Sequence, residues 1–210
     1  KGRWQALAPW AVRAAGGVVV PLDCNAPEAR LRALAHDCGA SLVLTDSAEP
    51  RSGKLWDIPA FSLSGKDSMP PLSGAQPLAE ADLFAIIYTS GSTGTPKGVL
   101  VPYAGIANAV LNIGSMAILG QDTPSLALSP FHHDMAMPDY MGCLLWGMPL
   151  VFPDHDLRKD PEHWLALLHR HKVGFWNSVP AMMTMLMAYM DANSPARNLS
   201  SLRLVTLGGD

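Results

Sequence analysis

Residues 83–99 read LFAIIYTSGSTGTPKGV. The first five are apolar, the pattern of a strand buried on both faces. The twelve from Tyr88 to Val99 hold three glycines, one proline, one lysine and five aliphatic hydroxyls. So many glycines carry an entropic cost without packing in return, which argues against an ordinary turn. Successive backbone N–H groups in a glycine-rich loop can face one concavity and hold phosphate oxygens, with hydroxyls adding donors and a lysine adding a point charge. Open α/β sheets place ligands where loops leave the carboxyl ends of strands. The stretch therefore predicts a strand feeding a phosphate-binding loop.

Strand and helix patterns alternate on either side of it. Upstream, Trp4 to Ala15 reads as a helix, GVVVPL as a buried strand, PEARLRALAHDCG as a helix opened by Pro and closed by Gly, and SLVLT as a strand. Ala48 to Pro77 is rich in Pro, Ser and Gly and reads as an irregular connection with a short strand around Ile58 to Leu63. Downstream come GIANAVLNIGSMAI as a helix, SLALSP as a strand, MPDYMGCLLWG as a helix, PLVFP as a strand and PEHWLALLHRH as a helix. VGFWNS, PAMMTMLMAYMDA and LRLVTL add a strand, a helix and a strand. This order predicts an α/β fold of layered, largely parallel sheets flanked by helices.

Composition excludes several classes of function. The chain has 210 residues, 49% of them apolar, and a formal net charge of −3. That supports a sizeable core and gives no electrostatic reason to expect nucleic acid. No apolar run approaches the roughly 20 residues a membrane-spanning helix needs. Three cysteines, Cys24, Cys38 and Cys143, lack metal-type spacing, which favours a reduced, cytoplasmic setting. The sequence opens inside a helical pattern and ends on RLVTLGGD, a strand entering a glycine turn. Both ends read as those of a piece of a larger domain.

The Walker pattern G-x-x-x-x-G-K-[ST] fails here, since Pro96 replaces the second glycine and Gly98 the magnesium-binding hydroxyl. Thr89 to Gly98 instead resemble, at every position, the [ST]-S-G-[ST]-[ST]-G-x-P-K-G signature of the adenylate-forming superfamily. That superfamily includes acyl-CoA synthetases, luciferases and the adenylation domains of nonribosomal peptide synthetases. The resemblance implies that Thr89, Ser90, Gly91, Ser92, Thr93, Gly94 and Lys97 hold the β- and γ-phosphates of ATP. GGVVVPLDCNAPEARLRALAHDCGASLVLTD also resembles a segment of peptide synthetase adenylation domains, and LRLVTLGGD the strand and turn beside the acyl and adenine pockets. The likeness covers nearly the whole chain, as a partial AMP-binding domain: the centre of the large N-terminal subdomain, without the C-terminal subdomain that carries the family's catalytic lysine.

Two branches of the superfamily compete in LSPFHHDMAMPDYMGCLLWGMPLVFPD. Peptide synthetases have F-D-x-S there, with the Asp taking the substrate's α-ammonium, a cation that would otherwise lose its hydration unpaired. Asp134 falls at that position, but His133 and Ala136 depart from the pattern, and HDM is similar to the H-D-M-G-L of fatty acyl-AMP ligases. DHDLRKDPEHW and WNSVPA resemble peptide synthetases, above all cysteine-activating, thiazoline-forming modules. The resemblance implies, position by position, a substrate pocket lined by Asp134, Met135, Pro138, Asn177, Thr206 and Gly208, and an adenine pocket bordered by Gly208, Gly209 and Asp210. Met135 and Pro138 replace the Leu and Tyr of a cysteine-type pocket, so cysteine is one candidate among several.

The resemblance implies amino acid adenylation with ATP and Mg2+, followed by loading of a phosphopantetheine thiol on a peptidyl carrier domain. The isolated stretch is expected to be inactive. Two alternatives stay open: an acyl-AMP or acyl-CoA ligase for a fatty or aryl acid, and a noncatalytic scaffold domain. Other residues invite blander readings. His132, His133 and Asp134 are adjacent and cannot all turn to one metal ion from an extended strand end. The five methionines from Met182 to Met190 read as adaptable core. Trp176 reads as packing, Asp139 as a cap or a solvent-facing residue, and Tyr103 stands where many relatives carry a His.

Overall fold

The structure, a computed structural model, describes residues 2–46, 54–64, 74, 77, 79, 81–89, 96–117, 119–193 and 198–209. It divides into two compact units, Gly2–Tyr103 and Ala104–Asp210.

In the first unit, helix α1 (Arg3–Ala14) buries Trp4 and sets Arg13, 5% exposed, against Asp82 at 2.5 Å. Helix α2 (Glu28–Asp37) starts after Pro27 and stops before Gly39, whose φ of +63° suits a residue without a Cβ. Strands β1 (Val43–Thr45), β2 (Lys54–Leu55) and β3 (Ile58–Ser62) form a small sheet in the order β1-β3-β2. β1 runs parallel to β3 and β2 antiparallel to it. Trp56 and Asp57 join β2 to β3 with φ of 56° and 67°, both positive as a tight hairpin turn of the I′ kind requires. Strand β4 (Leu83–Thr89) buries Phe84, Ala85 and Ile87, and pairs antiparallel with β5 (Lys97–Pro102).

Two expectations are corrected here. GVVVPL does not form a strand of its own: it meets β4 through one bridge, in which Val19 N–H donates to Phe84 O at 3.0 Å and Val19 O accepts from Ile86 N–H at 2.8 Å. Prolines bear on this, because Pro21 has no N–H to extend a ladder. The loop after β4 does not lead straight to a helix. It turns back into β5, whose KGVLVP carries the strand-forming Val-Leu-Val inside a stretch read from sequence only as the end of a loop.

The second unit has the expected parallel α/β order. Helix α3 (Tyr103–Ala117) is followed by β6 (Ser125–Leu126) and by a single 3-10 turn, Asp134–Ala136, that runs into α4 (Met137–Leu145). Then come β7 (Leu150–Val151), α5 (Pro161–His171), β8 (Phe175–Ser178), α6 (Pro180–Asn193) and β9 (Leu204–Leu207). The strands lie in the order β7-β6-β8-β9, every pair parallel. Asp160 caps α5 by accepting from Glu162 N–H at 2.9 Å, with Pro161 in the first helical position.

Alternation along β8 separates two cores. Trp176 packs with Leu126, Trp164, Leu168, Leu186 and Met190, while Phe175 joins Leu119 and Met148 in another cluster. Trp164 and Trp176 meet edge to face at 6.0 Å, and Trp176 Nε1 donates to Ser178 Oγ at 2.8 Å, which fixes Trp176 as a packing residue.

Candidate functional site

The β4–β5 register sets Thr89 directly opposite Lys97, so the two ends of the glycine-rich loop leave the sheet from one cross-strand pair. One residue back, Tyr88 faces Gly98, and a Cβ added at Gly98 would lie 3.0 Å from Ile86 Cγ2 and 3.4 Å from the Tyr88 ring. Glycine there lets the Tyr88 ring cover the partner strand. The Tyr88 hydroxyl donates to Asp37 Oδ2 at 2.5 Å, tying α2 to the strand that ends in the loop. Ser90, Gly91, Ser92, Thr93 and Gly94, assigned above to phosphate, lie outside the described residues, as does Asp210.

A second cluster forms at the carboxyl ends of β8 and β9. Asn177 and Thr206 are register partners, and Thr206 Oγ donates to Asn177 Oδ1 at 2.8 Å. Asn177, 1% exposed, also donates from Nδ2 to the carbonyl oxygen of Met135 and to Asp139 Oδ2, the latter at 3.0 Å. The 3-10 turn that carries Asp134 and Met135 is thereby held to β8 by a side chain. Gly208 N–H donates to Ser178 O at 3.2 Å, and a Cβ at Gly208 would stand 3.1 Å from Met135 Sδ, so this glycine makes room for the methionine. Gly209, with φ of +73°, turns the chain away from β9.

Four of the six expected pocket residues are thus joined: Met135, Asn177, Thr206 and Gly208. Asp134 stands beside them, exposed, with Oδ1 accepting from Met135 N–H at 2.8 Å. Pro138 is half-buried in the first turn of α4 and stays outside the hydrogen bonds. The His132 and His133 rings lie against each other at a tilt of 44°, ring centres 4.5 Å apart, and among the described residues no group of three His, Cys, Asp or Glu side chains could hold a metal ion.

Asp139 overturns the reading made of it from sequence. It is 0% exposed, and its carboxylate accepts from Asn177 and, through the other oxygen, from Ser125 Oγ on β6. Capping was the wrong expectation because α4 continues a 3-10 turn: Met137 N–H already bonds to Asp134 O, and the turn supplies the partners a cap would. A lone acid in the otherwise apolar helix MPDYMGCLLWG was the available signal, since a charge inside such a helix is buried with partners. Ser125 gave no signal at all. The neighbouring Tyr140, 2% exposed, has its phenol pushed well above the usual tyrosine range, first by burial and then by the Asp139 charge.

Comparison with known proteins gives the same frame. The profile described as AMP-binding enzyme matches residues 3–210. Pyochelin synthetase PchF of Pseudomonas aeruginosa is 36% identical over 211 residues, covering all of this chain and 12% of that protein. Phenyloxazoline synthase MbtB of Mycobacterium sp. (strain MCS) is 32% identical across 98% of this chain and 17% of its own length. The chain therefore spans a small part of these curated relatives. Among solved structures, the nonribosomal peptide synthetase FmoA3 bound to α-methyl-L-serine-AMP superposes with a TM-score of 0.85 at 30% identity, covering all of this chain and 23% of that one. The o-succinylbenzoate CoA synthetase MenE of Bacillus subtilis, at 20% identity and a TM-score of 0.83 over all of this chain and 54% of its own, shares the fold.

Proposed function

The chain belongs to the AMP-binding enzyme family, and from that premise we propose that it is the central part of an adenylation domain that activates an amino acid for nonribosomal peptide synthesis. The observation that carries the reading is the cluster at the ends of β8 and β9: Asn177, Thr206 and the Met135 carbonyl interlocked, with the Asp134 carboxylate exposed beside them. An exposed acid next to a rigid polar wall suits a substrate with an ammonium group at one end and a distinguishable side chain.

In the proposed reaction a carboxylate oxygen of the amino acid attacks the α-phosphorus of ATP. The bond from that phosphorus to the bridging oxygen breaks, and pyrophosphate leaves. The thiol of a phosphopantetheine arm on a peptidyl carrier domain then attacks the acyl carbon, forming a thioester and releasing AMP. Little covalent work falls to the protein in the first step, so orientation and charge stabilisation dominate. Thr89 and Lys97, paired at the mouth of the loop, would frame the β- and γ-phosphates together with Ser90 to Gly94, the lysine as a point charge. Magnesium would enter with the ATP phosphates and spread their charge. Asp134 would take the α-ammonium; Met135, Pro138, Asn177, Thr206 and Gly208 would line the side-chain pocket; Gly208, Gly209 and Asp210 would border the adenine. No helix among the described residues is long and apolar enough to cross a membrane.

The test is ATP–pyrophosphate exchange by the whole polypeptide that carries this chain, against amino acids, fatty acids and aryl acids. One amino acid is expected to drive exchange, and Asp134→Ala is expected to abolish it. Because Asp134 is exposed, its replacement should leave stability within about 0.5 kcal/mol of wild type. Exchange driven only by amine-free acids would move the chain to the acyl ligases.

A further inference from the structure

Asn177 has two amide hydrogens to donate and an amide oxygen that can accept twice. Both hydrogens are spent inside the protein, on Asp139 Oδ2 and on the Met135 carbonyl, and one acceptor site takes the Thr206 hydroxyl hydrogen. Asn177 is itself buried, so what this wall can offer outward is the lone pairs of the half-buried Thr206 Oγ. Asp139 and the Met135 carbonyl together make this arrangement one-sided, and Asp139 is the side chain of the two. A carboxylate only accepts, so it can meet the nitrogen end of the Asn177 amide and never the oxygen end. Its own orientation is fixed in turn by Ser125 on β6. Complete burial removes water as an alternative partner, so turning the amide over would leave a buried donor and acceptor unmatched.

We propose that Asp139 is a positioning residue that locks the Asn177 amide with its nitrogen turned toward α4, so that the Asn177 oxygen holds the Thr206 hydroxyl hydrogen inward and the half-buried Thr206 Oγ presents only acceptor lone pairs to the substrate. The side chain selected is one that donates a hydrogen bond, a hydroxyl or a thiol, over an apolar isostere or a carboxylate. The proposal rests on the reading that Asn177 and Thr206 line the substrate pocket, and it adds a residue outside that pocket as the source of its polarity.

Asp139→Leu removes the acceptor at similar size, and Asp139→Asn restores it, because its amide oxygen can take Asn177 while its nitrogen donates to Ser125. In exchange assays on the whole polypeptide, wild type should prefer serine, threonine or cysteine to 2-aminobutyrate. Asp139→Leu should lose that preference by about tenfold or more and raise KM for the preferred amino acid up to about 100-fold, as small misplacements in a site do. KM for ATP should stay within about twofold, since the change bears on the side-chain wall alone, and Asp139→Asn should recover the preference. Unchanged selectivity in Asp139→Leu, or a wild type that prefers an apolar or acidic side chain, overturns the proposal.

Exchange with no amino acid would sink the functional reading instead. The Asp139 proposal would then be decided by a crystal structure of Asp139→Leu: a reoriented Asn177 amide supports it and an unmoved one overturns it. Should Asp139→Leu fail to fold, the decision passes to Asn177→Asp, which sets two carboxylates where donor and acceptor stood 3.0 Å apart. That single change should abolish exchange, and adding Asp139→Asn, which returns a donor to the pair, should recover about a tenth of it or more; no recovery overturns the proposal.

Discussion

Tyr140 shows how one buried side chain reports on the charge beside it. Burial first and the Asp139 carboxylate second hold its phenol above the ordinary tyrosine value, so its pKa is higher in the folded state than in the unfolded one. The stability this contributes is fully present below the unfolded value, about 10, and is lost as the pH rises beyond it. Urea midpoints should therefore stay level through neutral pH and fall above about pH 10, and Tyr140→Phe should fall less steeply. An identical alkaline slope in Tyr140→Phe would deny the shift. Tyr88 in the first unit is raised in the same direction, by burial and then by its hydrogen bond to Asp37, and adds to the wild-type slope. Single residues also mark where sequence reading stops. Asn177 and Thr206 were placed by motif position alone, and their hydrogen bond follows from the β8–β9 register.

Helix ends were read well where the signal is local. α2 begins after Pro27 and ends before Gly39, and α5 opens with Asp160 and Pro161, because capping and φ restriction act over a few residues. The other end of α5 is less conventional. Lys172 sits in the left-handed region, φ 49° and ψ 47°, where a Cβ costs about 1–2 kcal/mol and glycine is the usual occupant. Lys172 is exposed, so Lys172→Gly should stabilise the protein by about 0.5–1 kcal/mol after the extra entropy of an unfolded glycine is set against the relief. Chemical denaturation of the two proteins side by side measures this, and a destabilised Lys172→Gly would contradict it. The β2–β3 hairpin escaped notice for a related reason: its turn residues, Trp56 and Asp57, take positive φ without the Asn-Gly or Asp-Gly signature of such turns.

For the protein entire, the decisive question is whether it engages nucleotide. Calorimetry with magnesium-ATP on the polypeptide carrying this chain should show binding, weakened about tenfold in Lys97→Ala, the loss of one charged phosphate contact. A wild type without affinity would favour the noncatalytic scaffold. The linear sequence was sufficient for the alternation of helices and strands, the parallel α/β unit from Ala104 onward, and the family, through the ten-residue signature from Thr89 to Gly98. Those properties rest on periodicity, caps and motifs that act between near neighbours in the chain. Three features needed the folded molecule: the return of the loop as antiparallel β5, the reduction of GVVVPL to a single bridge at Val19, and the buried Ser125–Asp139–Asn177–Thr206 network. Asp139 lies 38 positions from Asn177 along the chain. Only sheet order and helix placement bring the two together, and only the exclusion of water at that point turns an acid expected at the surface into the group that holds the Asn177 amide.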